Sequence, residues 1–504
     1  MPNNEFGDFQ TPEPLAASLL ATLPARNWAR VLEPTAGTGA FLAAARKAFP
    51  RAELLGVEVQ TKHAERARRF APVLHADLFT LNLADDLPYR TAAGPTLVIG
   101  NPPWVTNSQL SVLDSANRPP RGNVRRDRGI DAITGRANFD VGEAVWLHLL
   151  RALAGSDATV ALLCKTQVAR NVLRHCARHA LPIESATIRR IDARRWFGAS
   201  VDACWFTVAL RYQVPIRYRA AVYPDLDAGI PEHVLQVRDG RLIRDLDRRP
   251  DLLDLDGRCP LPWRQGIKHD AAAVMELVAV DGRPVSSSGD RIDIEPEYLY
   301  PLFKCTDVYH GRTRTAARWM VVPQRHPGEP TQPLAAGAPQ LWQYLTHHAA
   351  ALDGRRSRIY RNRARFGIFG VGPYTFEPYK IAVSGLHKRP CFQLVGPITG
   401  RPAVFDDATY LLPFHDPAEA AVVHALLCAE PIQALLAAIS FPDSKRPITK
   451  AVLQRIDLAA ALRRIDRHQL LAHATAQLDR LGSAGDPATT ADILAARWAA
   501  PGNA

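Results

Sequence analysis

Between residues 30 and 211, short apolar runs alternate with segments whose apolar positions recur at helical spacing. "ARVLEP" gives way to "AFLAAARKAF" and "AELLGVEV" to "TKHAERARRFA"; "TLVIG", "VGEAVWLHLLRAL", "ATVALLC" and "VDACWFTVAL" continue the rhythm. That alternation predicts an α/β fold with a doubly wound, mostly parallel sheet. In such sheets ligands lie beyond the carboxyl ends of the strands. After Leu210 the rhythm fades into Pro- and Arg-rich sequence with scattered strand patterns, which puts a boundary at 212–215. A mixed α+β region follows: 213–290 reads as a linker and its beginning, 291–464 as its body, and 465–504 as a polar, Ala-rich helical tail.

Composition narrows the picture. At 504 residues and 47% apolar content the chain suits a folded globular protein with two or more cores. Its 62 Lys+Arg against 50 Asp+Glu give a net charge of +12, which favours a polyanionic partner. Seven cysteines (164, 176, 204, 259, 305, 391, 428) are odd in number, far apart and without a Cys-x-x-Cys pair. Neither a disulfide framework nor a metal site is therefore expected, and a reducing cytoplasm is the expected home. The opening "MPNNEFGDFQTPEP" has no apolar run of signal-peptide type. No stretch approaches the about 20 apolar residues of a membrane span, so a soluble protein is expected.

The chemical motifs fall at predicted strand ends. "VLEPTAGTGAFL" (31–42) puts Glu33 at a strand end, then a tight Gly37-x-Gly39 turn and a helix. Glycines let a backbone pass close to a ligand, and an acidic neighbour suits an ammonium or hydroxyl better than a phosphate. Taken alone, such a turn is also ordinary turn chemistry. The next strand ends in "GVEV", with Glu58 about 20 residues further on, where a carboxylate can accept bonds from both hydroxyls of a ribose. "LHADLF" offers Asp77 at the third strand end, suited to accept from an adenine amino group. The fourth run, "VIGNPPWVTN", stops at Asn101, Pro102, Pro103 and Trp104. The prolines end the ladder and stiffen its exit. Asn101 offers an amide oxygen, and Trp104 a flat face, to one planar ligand. A lone strand-end acid is usually a helix cap or a solvated loop residue. Three in order, followed by this tetrapeptide, describe a ligand with a nucleoside and a cationic group.

This ordered set resembles the class I S-adenosylmethionine-dependent methyltransferases. Within them it is most similar to the gamma-class N6-adenine DNA methyltransferases of restriction–modification systems, the Taq-type group with an Asn-Pro-Pro-aromatic motif and a C-terminal specificity domain. "FGDFQTPEPLAASLL" (6–20) looks like the segment these enzymes lay over the methionine end of the cofactor. The resemblance implies S-adenosyl-L-methionine as cofactor, with Thr11 on its carboxylate and Glu33, Thr35, Ala36 and Gly37 around the methionine moiety. Glu58 would hold the ribose and Asp77 the cofactor adenine, with Leu78 packing nearby and Asn101 bordering both cofactor and substrate. "RRWFGASVDACWF" resembles a later motif in which Phe197 supplies a second aromatic to the target base. A core aromatic at a strand entry fits Phe197 nearly as well.

By the same resemblance, 1–212 is the catalytic domain and 291–464 the target-recognition domain. The stretches that carry it in the second half are "YLYPLFKCTDVYHG" (298–311), "FGIFGVGPYTFEPYKIAVSGL" (366–386), "DDATYLLPF" (406–414) and "FPDSKRPITKAVLQRIDL" (441–458). Two basic segments suit phosphate contact. One is 118–136, with Arg125 and Arg126; the other is 355–365, with Arg355, Arg358, Arg361 and Arg363 beside Tyr360. The first reads as a loop that orders on clamping phosphate, with plain disorder as the alternative; the second is also readable as a solvated face.

The expected reaction is methylation of a flipped adenine in double-stranded DNA. Asn101 Oδ1 and the Pro102 carbonyl would accept the two N6 hydrogens, with the ring held on Trp104 opposite Phe197. No cysteine nucleophile is needed. A partner endonuclease acting on the same site is expected, and no nuclease domain ahead of the covering segment. Trp104 departs from the commoner Tyr or Phe, and its wider indole changes the pocket. Methylation of a release-factor glutamine, an RNA guanine amine or cytosine N4, and a non-catalytic DNA-binding subunit, are the competing readings.

Overall fold

The computed structural model describes residues 9–83, 94–105, 140–211, 217–280, 283–286, 289, 291–361 and 363–499. The chain divides into two units, Met1–Arg248 and Arg249–Ala504.

The first unit is built on a ten-stranded sheet ordered β10-β9-β8-β6-β7-β5-β4-β1-β2-β3. Its strands are β1 (Arg30–Glu33), β2 (Glu53–Glu58), β3 (Val73–His75), β4 (Thr96–Gly100), β5 (Ala158–Lys165), β6 (Ile183–Ile191), β7 (Ala203–Leu210), β8 (Arg219–Tyr223), β9 (His233–Arg238) and β10 (Arg241–Arg244). β3, β2, β1, β4 and β5 run parallel, whereas β7 enters antiparallel between β5 and β6. β4 and β5 are buried along almost their whole length, which is why they read as continuous apolar runs. Helices α1 (Glu13–Ala21), α2 (Ala40–Ala48), α3 (Thr61–Ala67), α4 (Val141–Ala152), α5 (Thr166–Arg178) and α6 (Ala193–Phe197) complete this unit. Leu15 and Leu19 of α1, Phe41 of α2, Leu97 and Ile99 of β4 and Trp205 of β7 share one core, and Trp104 belongs to it.

The unit boundary falls at Arg248, beyond the expected 212–215. β8 pairs parallel with β6, and β9 and β10 add on antiparallel, so the sheet continues past the end of the α/β rhythm. These strands escaped the pattern because "RAAVY" and "HVLQVR" mix polar residues into short edge segments.

The second unit holds a four-stranded sheet, β11-β19-β16-β17, and a five-stranded one, β13-β12-β15-β14-β18. They comprise β11 (Arg264–Gln265), β12 (Glu276–Val280), β13 (Arg283–Val285), β14 (Leu299–Phe303), β15 (Arg318–Val321), β16 (Tyr379–Ser384), β17 (Phe392–Val395), β18 (Val404–Phe405) and β19 (Thr409–Phe414). The four stretches singled out in the second half converge here. β16 pairs with β19 from Tyr379↔Phe414 to Ser384↔Thr409, and β14 pairs with β18. Asp406 accepts from Cys305 N at 3.1 Å and from Thr409 Oγ1 at 2.8 Å, and Arg446 donates to the Asp407 carbonyl at 3.2 Å. Burial pushes the Asp406 carboxyl above its ordinary value. Lys380 of β16 is 1% exposed and donates to the Glu377 carbonyl; burial lowers its ammonium to about 7.

Helices α7 (Pro417–Cys428), α8 (Glu430–Ile439), α9 (Leu458–Arg464), α10 (Arg467–Leu481) and α11 (Pro487–Ala499) close this unit. Residues 467–499 are not an independent tail: Leu470, Ala474 and Leu478 of α10 and Ala491, Leu494 and Trp498 of α11 are buried. Among the described residues no single helix is long and apolar enough to cross a membrane. α7 and α8 pass such a test only together, bent by 60°, and most of their apolar side chains are buried.

Candidate active site

β1, β2 and β4 deliver their carboxyl ends to one side of the sheet, and the strand order reverses between β1 and β4. A cleft opens there. Its walls include Thr35, Gly37, Glu58, Asp77, Leu78, Phe79, Asn101 and Pro103, together with Val141 and Val145 of α4. Its composition is that of a small-molecule site: apolar walls with a few converging polar groups.

The glycine turn is shaped by its own backbone. Gly37 and Gly39 hold φ of 51° and 91°. A Cβ on Gly39 would lie 2.9 Å from Ala67 Cα and from Phe70, so this residue lets α2 approach α3. The turn's amides are engaged internally: Ala36 N donates to the Val57 carbonyl at 2.8 Å, and Gly37 N to Glu58 Oε2 at 2.7 Å. Glu58 also accepts from Gln60 N at 2.8 Å. The turn therefore contributes shape rather than donors.

Glu33 does not line the cleft. It is 2% exposed and accepts from Leu42 N at 3.1 Å, bracing the start of α2. Burial holds its carboxyl well above the ordinary value, against that hydrogen bond and with added repulsion from Glu58. Thr11 does not line the cleft either. The upstream segment meets the turn through its neighbour Gln10, whose Oε1 accepts from Thr38 N at 2.9 Å and Thr38 Oγ1 at 2.8 Å. Sequence reasoning missed Gln10, although it lies in the stretch already marked as a cover.

Asp77 follows β3 and caps the local turn, its Oδ1 accepting from Phe79 N at 2.9 Å. Phe79 also escaped the sequence reading; it lines the cleft and meets His148 of α4 edge-on at 5.8 Å.

The tetrapeptide is held from both ends. Val141 N donates to the Val105 carbonyl at 3.0 Å. Asp140 caps α4 by accepting from Gly142 N at 3.0 Å and pairs with Lys165 of β5 at 2.8 Å. A Cβ on Gly142 would meet the Pro103 carbonyl at 3.5 Å. Within this frame Asn101 Nδ2 donates to the Phe9 carbonyl at 2.8 Å, while Asn101 Oδ1 is buried without a partner. Thr35 Oγ1 is likewise buried and unpartnered.

Beside Asn101, three aromatic rings meet. Trp104 and Phe197 lie 5.2 Å apart, edge to face at 72°, and Phe9 touches both, at 5.5 Å and 5.8 Å. Phe197 thus stands next to Trp104 and also packs on the core; a parallel slot between the two rings is closed.

In the arginine run, Arg355 is used internally: its guanidinium donates to the carbonyls of Leu352, His269 and Gly367 and covers Tyr360 at 3.8 Å. It is thereby removed from the expected phosphate contacts. Arg361 and Arg363 are exposed. Arg125, Arg126 and the side chain of Arg358 lie outside the described residues.

No family model matches the chain. It is 35% identical over 464 residues to the type II methyltransferase M.NspV of Nostoc sp., covering 90% of this chain and 96% of that one. The type II methyltransferase M.XamI of Xanthomonas campestris pv. amaranthicola is 34% identical over 108 residues, 21% of this chain and 20% of the relative. In fold, the chain is similar to the type IIL restriction-modification enzyme MmeI, with a TM-score of 0.54 at 12% identity over 96% of this chain and 75% of that one. Likeness to M.NspV along nearly the whole of both chains makes this protein a member of the type II methyltransferases, the S-adenosylmethionine-dependent DNA methyltransferases of restriction–modification systems.

Proposed function

We propose that the chain methylates N6 of adenine in duplex DNA, with the adenine turned out of the helix into the Trp104 pocket. The observation that carries this reading is Asn101: its amide hydrogen is tied to the Phe9 carbonyl, and its buried oxygen lacks a partner, in a tetrapeptide whose Trp104 meets Phe9 and Phe197. A buried acceptor left unsatisfied is costly, and an exocyclic amine satisfies it.

The cleft residues fit S-adenosylmethionine, which supplies an electrophilic methyl group when bound. Glu58 takes the ribose hydroxyls through the lone pairs left over from Gly37 and Gln60. Asp77 Oδ2 accepts from the adenine amino group, with Leu78, Phe79 and Val145 against the ring. Thr35 Oγ1 belongs to the methionine end, covered by the segment around Gln10 and Thr11. Glu33, Ala36 and Gly37 set the shape of that end.

On the substrate, Asn101 Oδ1 and the Pro102 carbonyl accept the two N6 hydrogens. They favour a pyramidal nitrogen and stabilise the positive charge that grows on it. Trp104 and Phe197 fix the ring plane and so align the nitrogen for in-line displacement. The second unit and the exposed Arg361 and Arg363 are assigned to the DNA, in keeping with the net charge of +12. A cognate endonuclease is the expected partner of such a modification enzyme.

The test is transfer of labelled methyl to duplex DNA, RNA and release-factor protein by wild type and Asn101→Ala, followed by digestion of the DNA to nucleosides. N6-methyladenine that disappears in the variant is the expected result. Label in N4-methylcytosine, RNA or protein, or none in DNA despite cofactor binding, overturns the reading.

A further inference from the structure

His424, Cys428 and His473 bring three metal-binding donor atoms within 4.8 Å of one another in the second unit. His424 and Cys428 stand one turn apart on α7, and α10 packs alongside and presents His473. His424 Nδ1 lies 3.1 Å from His473 Nε2. Cys428 Sγ lies 3.9 Å from His424 Nδ1 and 3.5 Å from its Nε2. In a tetrahedral zinc site, Zn–N near ~2.0 Å and Zn–S near ~2.3 Å separate the donors by roughly 3.3 to 3.8 Å.

The outer contacts suit such a site. His424 Nε2 lies 3.2 Å from the Phe392 carbonyl. A proton on Nε2 makes that contact a hydrogen bond and leaves Nδ1, 3.1 Å from His473 Nε2, as the metal-binding nitrogen, the usual way a ligating histidine is oriented.

We propose that His424, Cys428 and His473 form a zinc site that fastens α10 to α7. Thiolate and imidazole donors in tetrahedral reach select zinc over magnesium, calcium or manganese. Binding deprotonates the Cys428 thiol, and its proton passes to solvent. The expected absence of a metal rested on cysteine spacing; these ligands stand at 424, 428 and 473, and His473 reaches the other two only in the fold.

The experiment uses the full chain, purified without a metal-affinity tag and dialysed against metal-free buffer. Elemental analysis should return about one zinc per chain. Loading the stripped protein with Co²⁺ should give a thiolate-to-cobalt charge-transfer band and tetrahedral d–d bands. Cys428→Ser and His473→Ala should each lose the metal, and a chelator should lower the wild-type Tm. The cobalt spectrum of wild type keeps the test decisive if a variant fails to fold. No zinc and no thiolate band identify a metal-free, hydrogen-bonded cluster and overturn the proposal, as does zinc that both folded variants retain.

Discussion

Asn101 donates its side-chain amide to the Phe9 carbonyl at 2.8 Å, across 92 positions of sequence. That bond fixes which end of the amide faces the pocket. Asn101→Asp keeps an acceptor but removes the donor and sets a carboxylate against a carbonyl oxygen. Methyl transfer under single turnover should fall by about 100-fold or more, the scale of losing an oriented catalytic hydrogen-bonding group. Cofactor affinity, read by calorimetry, should move far less. Equal losses in both would assign Asn101 to cofactor binding alone.

Phe197→Ala tests the aromatic pocket. A ring stacked on a base contributes about 1–3 kcal/mol, so the variant should weaken productive DNA binding by roughly 10- to 100-fold. With 2-aminopurine at the target position, the fluorescence rise on binding should shrink. A variant that loses thermal stability but keeps the full fluorescence change would show that Phe197 serves only the core.

Gln10 and Gly37 should behave as a coupled pair. A Cβ on Gly37 would lie 2.8 Å from Gln10 Oε1, so Gly37→Ala displaces the side chain that accepts from Thr38. Gln10→Ala alone should weaken cofactor binding several-fold, the scale of one hydrogen bond worth about 1 kcal/mol. In the Gln10→Ala background Gly37→Ala should cost less than it does in wild type. Strict additivity would mean that the two do not meet.

Lys380 gives a pH signature. Burial lowers its folded-state value to about 7, so between there and the ordinary lysine range the unfolded chain holds more protons than the folded one. Stability from this group therefore rises with pH across that window and is lowest below it. Lys380→Met should be stabilised relative to wild type near pH ~6, with an advantage that shrinks as pH rises toward ~10. A Tm difference independent of pH would refute the assignment.

The strand ends were legible because each joins an apolar run to a polar residue that the sheet must expose at its rim. Glu58, Asp77 and Asn101 declared themselves in that way, and all three line the cleft. What the sequence concealed were relations between distant segments. Gln10 sits beside Thr11 in the covering segment, and only the fold decides which of them reaches Thr38. Glu33 looks like a ligand by position, yet Leu42 N turns it inward. Arg355 looked like a phosphate contact because composition does not reveal three carbonyls waiting around it. β8, β9 and β10 were missed because edge strands need only weak patterning.

The meeting of Phe9, Trp104 and Phe197 has a consequence for selectivity. A guest in that pocket does not enter an empty hole; it competes with contacts the chain already makes to itself. A flat, polarisable ring can replace them, whereas water or a sugar cannot. On the proposed reading such self-closure acts as a threshold: the pocket stays shut beside ordinary stacked DNA, and a base that has already left its helix opens it.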